Sequence, residues 1–212
     1  GWAQELDGHV DASGVEALEQ VLTSAHHILE LTEVAREFVE SLGVAEDVDL
    51  EPVNLREHLW NELTKQRDAY PDADFEAVGN LPNVTVRANE MLSSVFRNVL
   101  VNAVEHNDAA TPTVTVTATV REQTVEVRIA DNGPGIADAL KDDVFSKGTK
   151  SLSDGAGLGL YIVETLVDSY GGAVRVEDSG QRRPAGSQTQ ADDDDSTGTV
   201  FIIDLPLIDS DG

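Results

Sequence analysis

The spacing of apolar positions changes character near residue 53. Before that point, Leu18, Val21, Ala25, Ile28, Thr32, Ala35, Val39 and Leu42 recur alternately three and four positions apart within residues 15–43, which is the seam of a helix packed in a bundle. Leu22, Leu29 and Phe38 widen the stripe. Ahead of it, GWAQEL reads as the end of another helix and DGHVDASG as the turn between the two. Residues 1–45 are therefore expected to be a helical hairpin whose first helix is cut short at Gly1, with residues 46–56 as an acidic linker.

Beyond the linker, helical and strand periods alternate. VNLREHLWNELTKQRDAY predicts an amphipathic helix entered through an Asn54 cap, NVTVRA a short strand, and the stretch from an Asn89 cap to about His106 a second helix. TVTVTATV and VEVRIAD alternate with period two on either side of REQT, which predicts a hairpin. A loop with a short helix follows, then a helix opened by GAGLGL, then strands GAVRVED and TVFIIDLPL. The polar stretch SGQRRPAGSQTQADDDDSTG between those strands predicts a flexible hairpin loop. Residues 57–208 thus read as one mixed α/β domain.

Composition narrows the picture. With 40% hydrophobic residues in 212, the chain can bury a core, and no apolar run reaches the roughly 18–20 residues of a membrane span. There is no cysteine, which excludes disulfides and thiolate metal sites and fits a reducing cytoplasm. Forty acidic residues against 14 basic ones give a net charge of −26. Such self-repulsion weakens the compact state in dilute buffer and fades at molar salt, where the screening length is about 3 Å. A protein adapted to concentrated salt is expected. The same surface argues against nucleic acid and against direct contact with an anionic membrane, because it lacks the cations that neutralise phosphates.

Three features suggest chemistry. Asn98, Asn102, Glu105 and His106 return to one strip of the second helix, beside the apolar face of Leu92, Val95, Phe96, Val99, Leu100 and Ala103. Asparagines are poor helix formers, and an amide oxygen is a hard neutral ligand suited to Mg²⁺; a solvated polar face is the plainer alternative. In IADNGPGI a strand delivers Asp131 at its end, where a carboxylate can accept a hydrogen bond from an exocyclic amine, while Gly133 and Gly135 permit a tight turn against a flat ring. In DGAGLGLYIVETL, Gly155, Gly157 and Gly159 precede and enter a helix. Glycines there let backbone N–H groups converge on an anion, though they also serve tight turns and close packing.

Taken in order, Asn98-x-x-x-Asn102, Asp131-x-Gly133-x-Gly135, Phe145 and Gly155-x-Gly157-x-Gly159 resemble the N, G1, F and G2 boxes of the sensor histidine kinases, within the ATPase superfamily shared with gyrase, Hsp90 and MutL. The resemblance covers about residues 53–206, and HHILELTEVAREFVESL is similar to the second helix of the dimerisation and phosphoacceptor hairpin in haloarchaeal kinases. It implies a Bergerat-type two-layer α/β sandwich with a mobile lid over residues 134–157. ATP and Mg²⁺ are the implied cofactors. By this resemblance Asp131 is expected to receive the adenine amine, Gly133, Gly135 and Ile136 to line the base, and Asn102 to ligate the metal. Asn98 and His106 are expected to help place the phosphates, Lys147 and Lys150 to neutralise them, and the backbone at Gly155, Gly157, Leu158, Gly159 and Leu160 to lie against the β- and γ-phosphates. The implied partners are a response-regulator receiver domain and a second copy joined through the hairpin, in the cytoplasm.

Two residues depart from the pattern that the resemblance implies. Glu105 stands where such kinases carry a basic phosphate-binding residue. The acceptor motif, His followed by an acidic or polar residue and Leu-Arg, is absent: His26 and His27 precede Ile-Leu, so the acceptor is expected upstream of Gly1. Three activities remain open at this stage, namely phosphoryl transfer to that histidine, ATP hydrolysis, and a nucleotide-responsive module without chemistry. Hydrolases of the gyrase kind carry a glutamate one turn before the metal-binding asparagine as general base. Asn98 holds that position, and an amide cannot take a proton.

Overall fold

The computed structural model describes residues 50–141, 143–145, 156–181 and 197–208. The expected hairpin of residues 1–45 lies outside them. Strand β1 (Glu51–Asn54) leads directly into helix α1 (Leu55–Ala69), followed by β2 (Asp74–Ala77), β3 (Thr85–Ala88), α2 (Leu92–Glu105), β4 (Thr113–Val120), β5 (Thr124–Asp131), the short α3 (Asp138–Lys141), α4 (Ala156–Ser169), β6 (Ala173–Gln181) and β7 (Thr197–Pro206).

Five strands form a mixed sheet in the order β2-β4-β5-β7-β6, with β2 parallel to β4 and every other pair antiparallel. β1 and β3 pair antiparallel as a separate ribbon, joined to the end of β7 by a bridge between Val86 and Leu207. Two elements escape the sequence pattern. The expected linker 46–56 gives way to β1 at Glu51, and β2 was not anticipated at all. Each has four residues and a single buried side chain, Val53 in β1 and Phe75 in β2. Alternation over so short a run carries no periodic signal.

One face of the sheet is apolar because alternate residues point to it. Val125, Val127 and Ile129 of β5 are fully buried and pair with Leu205, Ile203 and Phe201 of β7. Helices α1, α2 and α4 cover that face: Leu55, Leu59 and Leu63 lie one turn apart on α1, and Leu92, Val95, Phe96, Val99 and Leu100 make the buried stripe of α2. The opposite face carries an ion-pair lattice. Arg175 of β6 reaches Asp204 and Glu126 across the strands, and Arg121 and Arg128 also contact Glu126. Ile202, flanked in register by Arg128 and Arg175, is fully buried on this side, where arginine stems shield apolar surface.

The helix entries follow from local chemistry. Asn54 Oδ1 accepts from the Glu57 amide at 3.1 Å, which satisfies one of the orphan donors of α1 and contributes about 1 kcal/mol. Asn89 does not cap α2 as expected: Met91 takes the cap position, and Asn89 stands two positions ahead of it. Its Oδ1 accepts from the Met91 amide at 3.0 Å, closing a turn ahead of α2, and from the Tyr170 hydroxyl at 2.6 Å.

Candidate functional site

Asp131 ends β5 with a carboxylate only 5% exposed. Its Oδ1 accepts from the backbone amides of Gly133 at 2.8 Å and Thr199 at 3.0 Å. Burial raises the carboxyl above the ordinary range, and the hydrogen bonds from Thr199 and Gly133 oppose that shift. A carboxylate is thus held in one orientation at the end of the sheet, where it can recognise a donor on a flat ring. Glycine is required next to it. Gly135 has φ +77°, and a Cβ at Gly133 would lie 3.0 Å from Asp131 Oδ1 and 3.4 Å from the Asn107 carboxamide. Gly198, at φ +101°, lets β7 approach the Asp131 carbonyl and brings Thr199 into reach.

The turn after Asp131 is tied to the C-terminal end of α2 by two asparagines. Asn107 Nδ2 donates to Asn132 Oδ1 at 2.9 Å and to the Ala103 carbonyl at 3.2 Å, while its Oδ1 accepts from the Ala109 amide. Asn132 Oδ1 also accepts from the Thr113 amide at 2.8 Å, and its Nδ2 donates to the Thr111 carbonyl. These bonds link the residue next to Asp131 to the Ala103 carbonyl near the end of α2. Sequence reasoning missed Asn107, Asn132 and Thr199. The one local signal for Thr199 is Gly198 inside a strand, which marks close backbone approach.

On α2, Asn98 and Asn102 are half-buried, and Glu105 and His106 are exposed one turn further on. Asn98 Nδ2 donates to the Ser94 carbonyl at 2.8 Å. Glu105 Oε1 accepts from the Tyr70 hydroxyl at 3.0 Å, so a neutral donor from the end of α1 engages the acidic group at this unusual position. Among the described residues no group of three or more His, Cys, Asp or Glu could hold a metal ion. The donors on α2 fit a different arrangement, in which one neutral carboxamide oxygen supplements a cation carried largely by phosphate oxygens.

α4 begins at Ala156, so Gly157, Leu158, Gly159 and Leu160 occupy its first turns, with Leu160 buried. Gly159 packs against Asn98, so α4 and α2 meet at these two residues. Phe145, 6% exposed, meets Phe201 edge-on with ring centroids 6.2 Å apart, and Ile136 is half-buried beyond the Asp131 turn. Lys147, Lys150 and Gly155 lie outside the described residues. No helix among the described residues is long and apolar enough to cross a membrane.

Comparison with known proteins identifies the family of the fold. Residues 88–209 match the family described as histidine kinase-, DNA gyrase B-, and HSP90-like ATPase. The chain is 30% identical over 123 residues to the C4-dicarboxylate transport sensor protein DctB of Rhizobium meliloti, covering 58% of this chain and 19% of that protein. The solved structure of the mycobacterial sensor histidine kinase MprB is 30% identical with a TM-score of 0.61, covering 74% of this chain and 98% of that one. Full-length ShkA in complex with AMPPNP shares the fold at 24% identity, with a TM-score of 0.66 over 93% of this chain and 40% of that one. The chain spans between 19% and 37% of the length of the curated relatives it matches.

Proposed function

This chain belongs to the histidine kinase-, DNA gyrase B- and HSP90-like ATPase family, as a sensor histidine kinase catalytic core, and we propose on that premise that it binds Mg-ATP for transfer of the γ-phosphoryl group to a histidine upstream of Gly1. The observation that carries the reading is the buried Asp131 carboxylate, fixed by the Gly133 and Thr199 amides and tied through Asn132 and Asn107 to the helix bearing Asn98 and Asn102. Asp131 accepts the exocyclic amine of adenine, and Gly133, Gly135 and Ile136 face the ring. Asn102 offers its amide oxygen to the metal, and Asn98 and His106 orient the phosphates. The amides in the first turn of α4 meet the phosphates at the positive end of the helix dipole. Magnesium supplies neutralisation of the charge that develops during transfer.

The identity of residue 98 favours transfer over hydrolysis. An amide cannot take a proton from water, so Asn98 positions rather than activates. The γ-phosphate is then kept for an imidazole brought into line by dimerisation. On this reading a response-regulator receiver domain takes the phosphoryl group onward, the hairpin of residues 1–45 joins two copies, and the chain works in the cytoplasm at high salt. Radiolabelled ATP tests the reading on the 212-residue chain and on a version extended at its N-terminus, both in molar KCl. Acid-labile label is expected on the extended chain alone. Label on the 212-residue chain places the acceptor among its own histidines, and a silent extended chain with ATP bound indicates a nucleotide-responsive module without phosphoryl transfer.

A further inference from the structure

Gly159 lies inside α4, where glycine is a poorer helix former than alanine. Its backbone does not explain the choice, since it is not among the glycines with positive φ. A close neighbour does. A Cβ at position 159 would stand 2.6 Å from Asn98 Oδ1, 3.4 Å from its Cγ and 3.8 Å from its Cβ. All three of the nearest atoms belong to one side chain. That side chain is held in place on its own helix, because Asn98 Nδ2 donates to the Ser94 carbonyl at 2.8 Å. Making room for a methyl group means turning the carboxamide and stretching or losing that hydrogen bond.

We propose that Gly159 is a positioning residue: its missing side chain forms the seat for the Asn98 carboxamide, so that α2 and α4 jointly fix the oxygen at residue 98. The inference rests on the reading of Asn98 as part of the nucleotide site and gives the third glycine of the stretch a task other than leaving space for phosphate. The two tasks differ in what they demand of the protein without nucleotide. If the space is for phosphate, a methyl group at 159 meets nothing in the free protein. If the space is for Asn98, the methyl group clashes at once, and the clash vanishes when Asn98 is shortened.

A double-mutant cycle on the full 212-residue chain in molar KCl separates them. In thermal melts without nucleotide, Gly159→Ala lowers the melting temperature when Asn98 is present. In the Asn98→Ala background the same change is neutral or raises it, because alanine is then simply the better helix former. A shift of equal sign and size in both backgrounds overturns the proposal. Should Gly159→Ala alone fail to fold, a folded double variant still supports the seat and an unfolded one overturns it. In titrations on the folded variants, Gly159→Ala, Asn98→Ala and the double variant weaken ATP by a similar factor, about tenfold for one lost hydrogen bond to a charged group. Adenosine binding is unchanged. Additive losses of ATP affinity contradict the seat. A parent chain that binds no ATP refutes the nucleotide reading, while the melting cycle still decides between seat and empty space.

Discussion

Replacing Asp131 separates its structural work from its recognition work. Oδ1 accepts from the Gly133 amide at 2.8 Å and the Thr199 amide at 3.0 Å, and both bonds are buried. Asp131→Ala leaves two backbone donors without an acceptor, at about 1–3 kcal/mol each, so a loss of about 2–6 kcal/mol is expected. Asp131→Asn keeps an oxygen for both amides. Each bond weakens by roughly 1 kcal/mol on losing the charge, but the cost of burying an ionised carboxylate disappears as well. The asparagine variant should therefore stay within about 2 kcal/mol of the parent and above the alanine variant.

The pH dependence of stability follows the same group. Burial raises the Asp131 carboxyl in the folded chain above its unfolded value, so the stability it contributes is fully present below the unfolded pKa and is lost as pH rises through the folded one. The difference between parent and Asp131→Asn should shift against the parent across that acidic window and level off above it. Urea melts in molar KCl from pH 3.5 to 7.5 measure both effects. Equal stability of the alanine and asparagine variants would refute the two buried hydrogen bonds, and a pH-independent difference would refute the raised carboxyl.

Asn102→Ala should weaken ATP in the presence of Mg²⁺ by about tenfold, the equivalent of one lost ligand or strong polar contact, and leave ADP without metal unchanged; calorimetry with and without Mg²⁺ checks this. The melting temperature should rise steadily from dilute buffer to molar KCl because of the −26 charge, and a constant value contradicts the saline reading. Glu105→Lys should raise the melting temperature in dilute buffer, since it removes two units of net negative charge and puts a cation in the last turn of α2, where none stands now. The loss of the exposed Tyr70 bond is the smaller effect.

The long elements were legible because their patterns run for several periods. α1 with its Asn54 cap, the β4–β5 hairpin and the apolar stripe of α2 all lie where alternation or helical spacing places them. β1 and β2 were not legible, as four residues with one buried side chain carry no period. At the candidate site, the tight turn after Asp131 is legible from Gly133 and Gly135. Thr199 was not, because it reaches Asp131 across 68 positions through strand pairing that no local pattern encodes. Asn107 was hidden for a similar reason, its partner Asn132 being 25 positions away. At Gly159 a missing side chain signals a close approach without saying what approaches, and in the structure Asn98 lies against it.

Whether the Asp131 turn and the α2 asparagines form one nucleotide site is decided by isothermal titration of the 212-residue chain with Mg-ATP in molar KCl, run side by side with folded Asp131→Asn. That variant presents a donor where adenine also presents a donor. One saturating site on the parent, with ADP and ATP binding lost together in the variant, is the predicted result. Absence of heat from the parent, or undiminished ATP binding by Asp131→Asn, would contradict it.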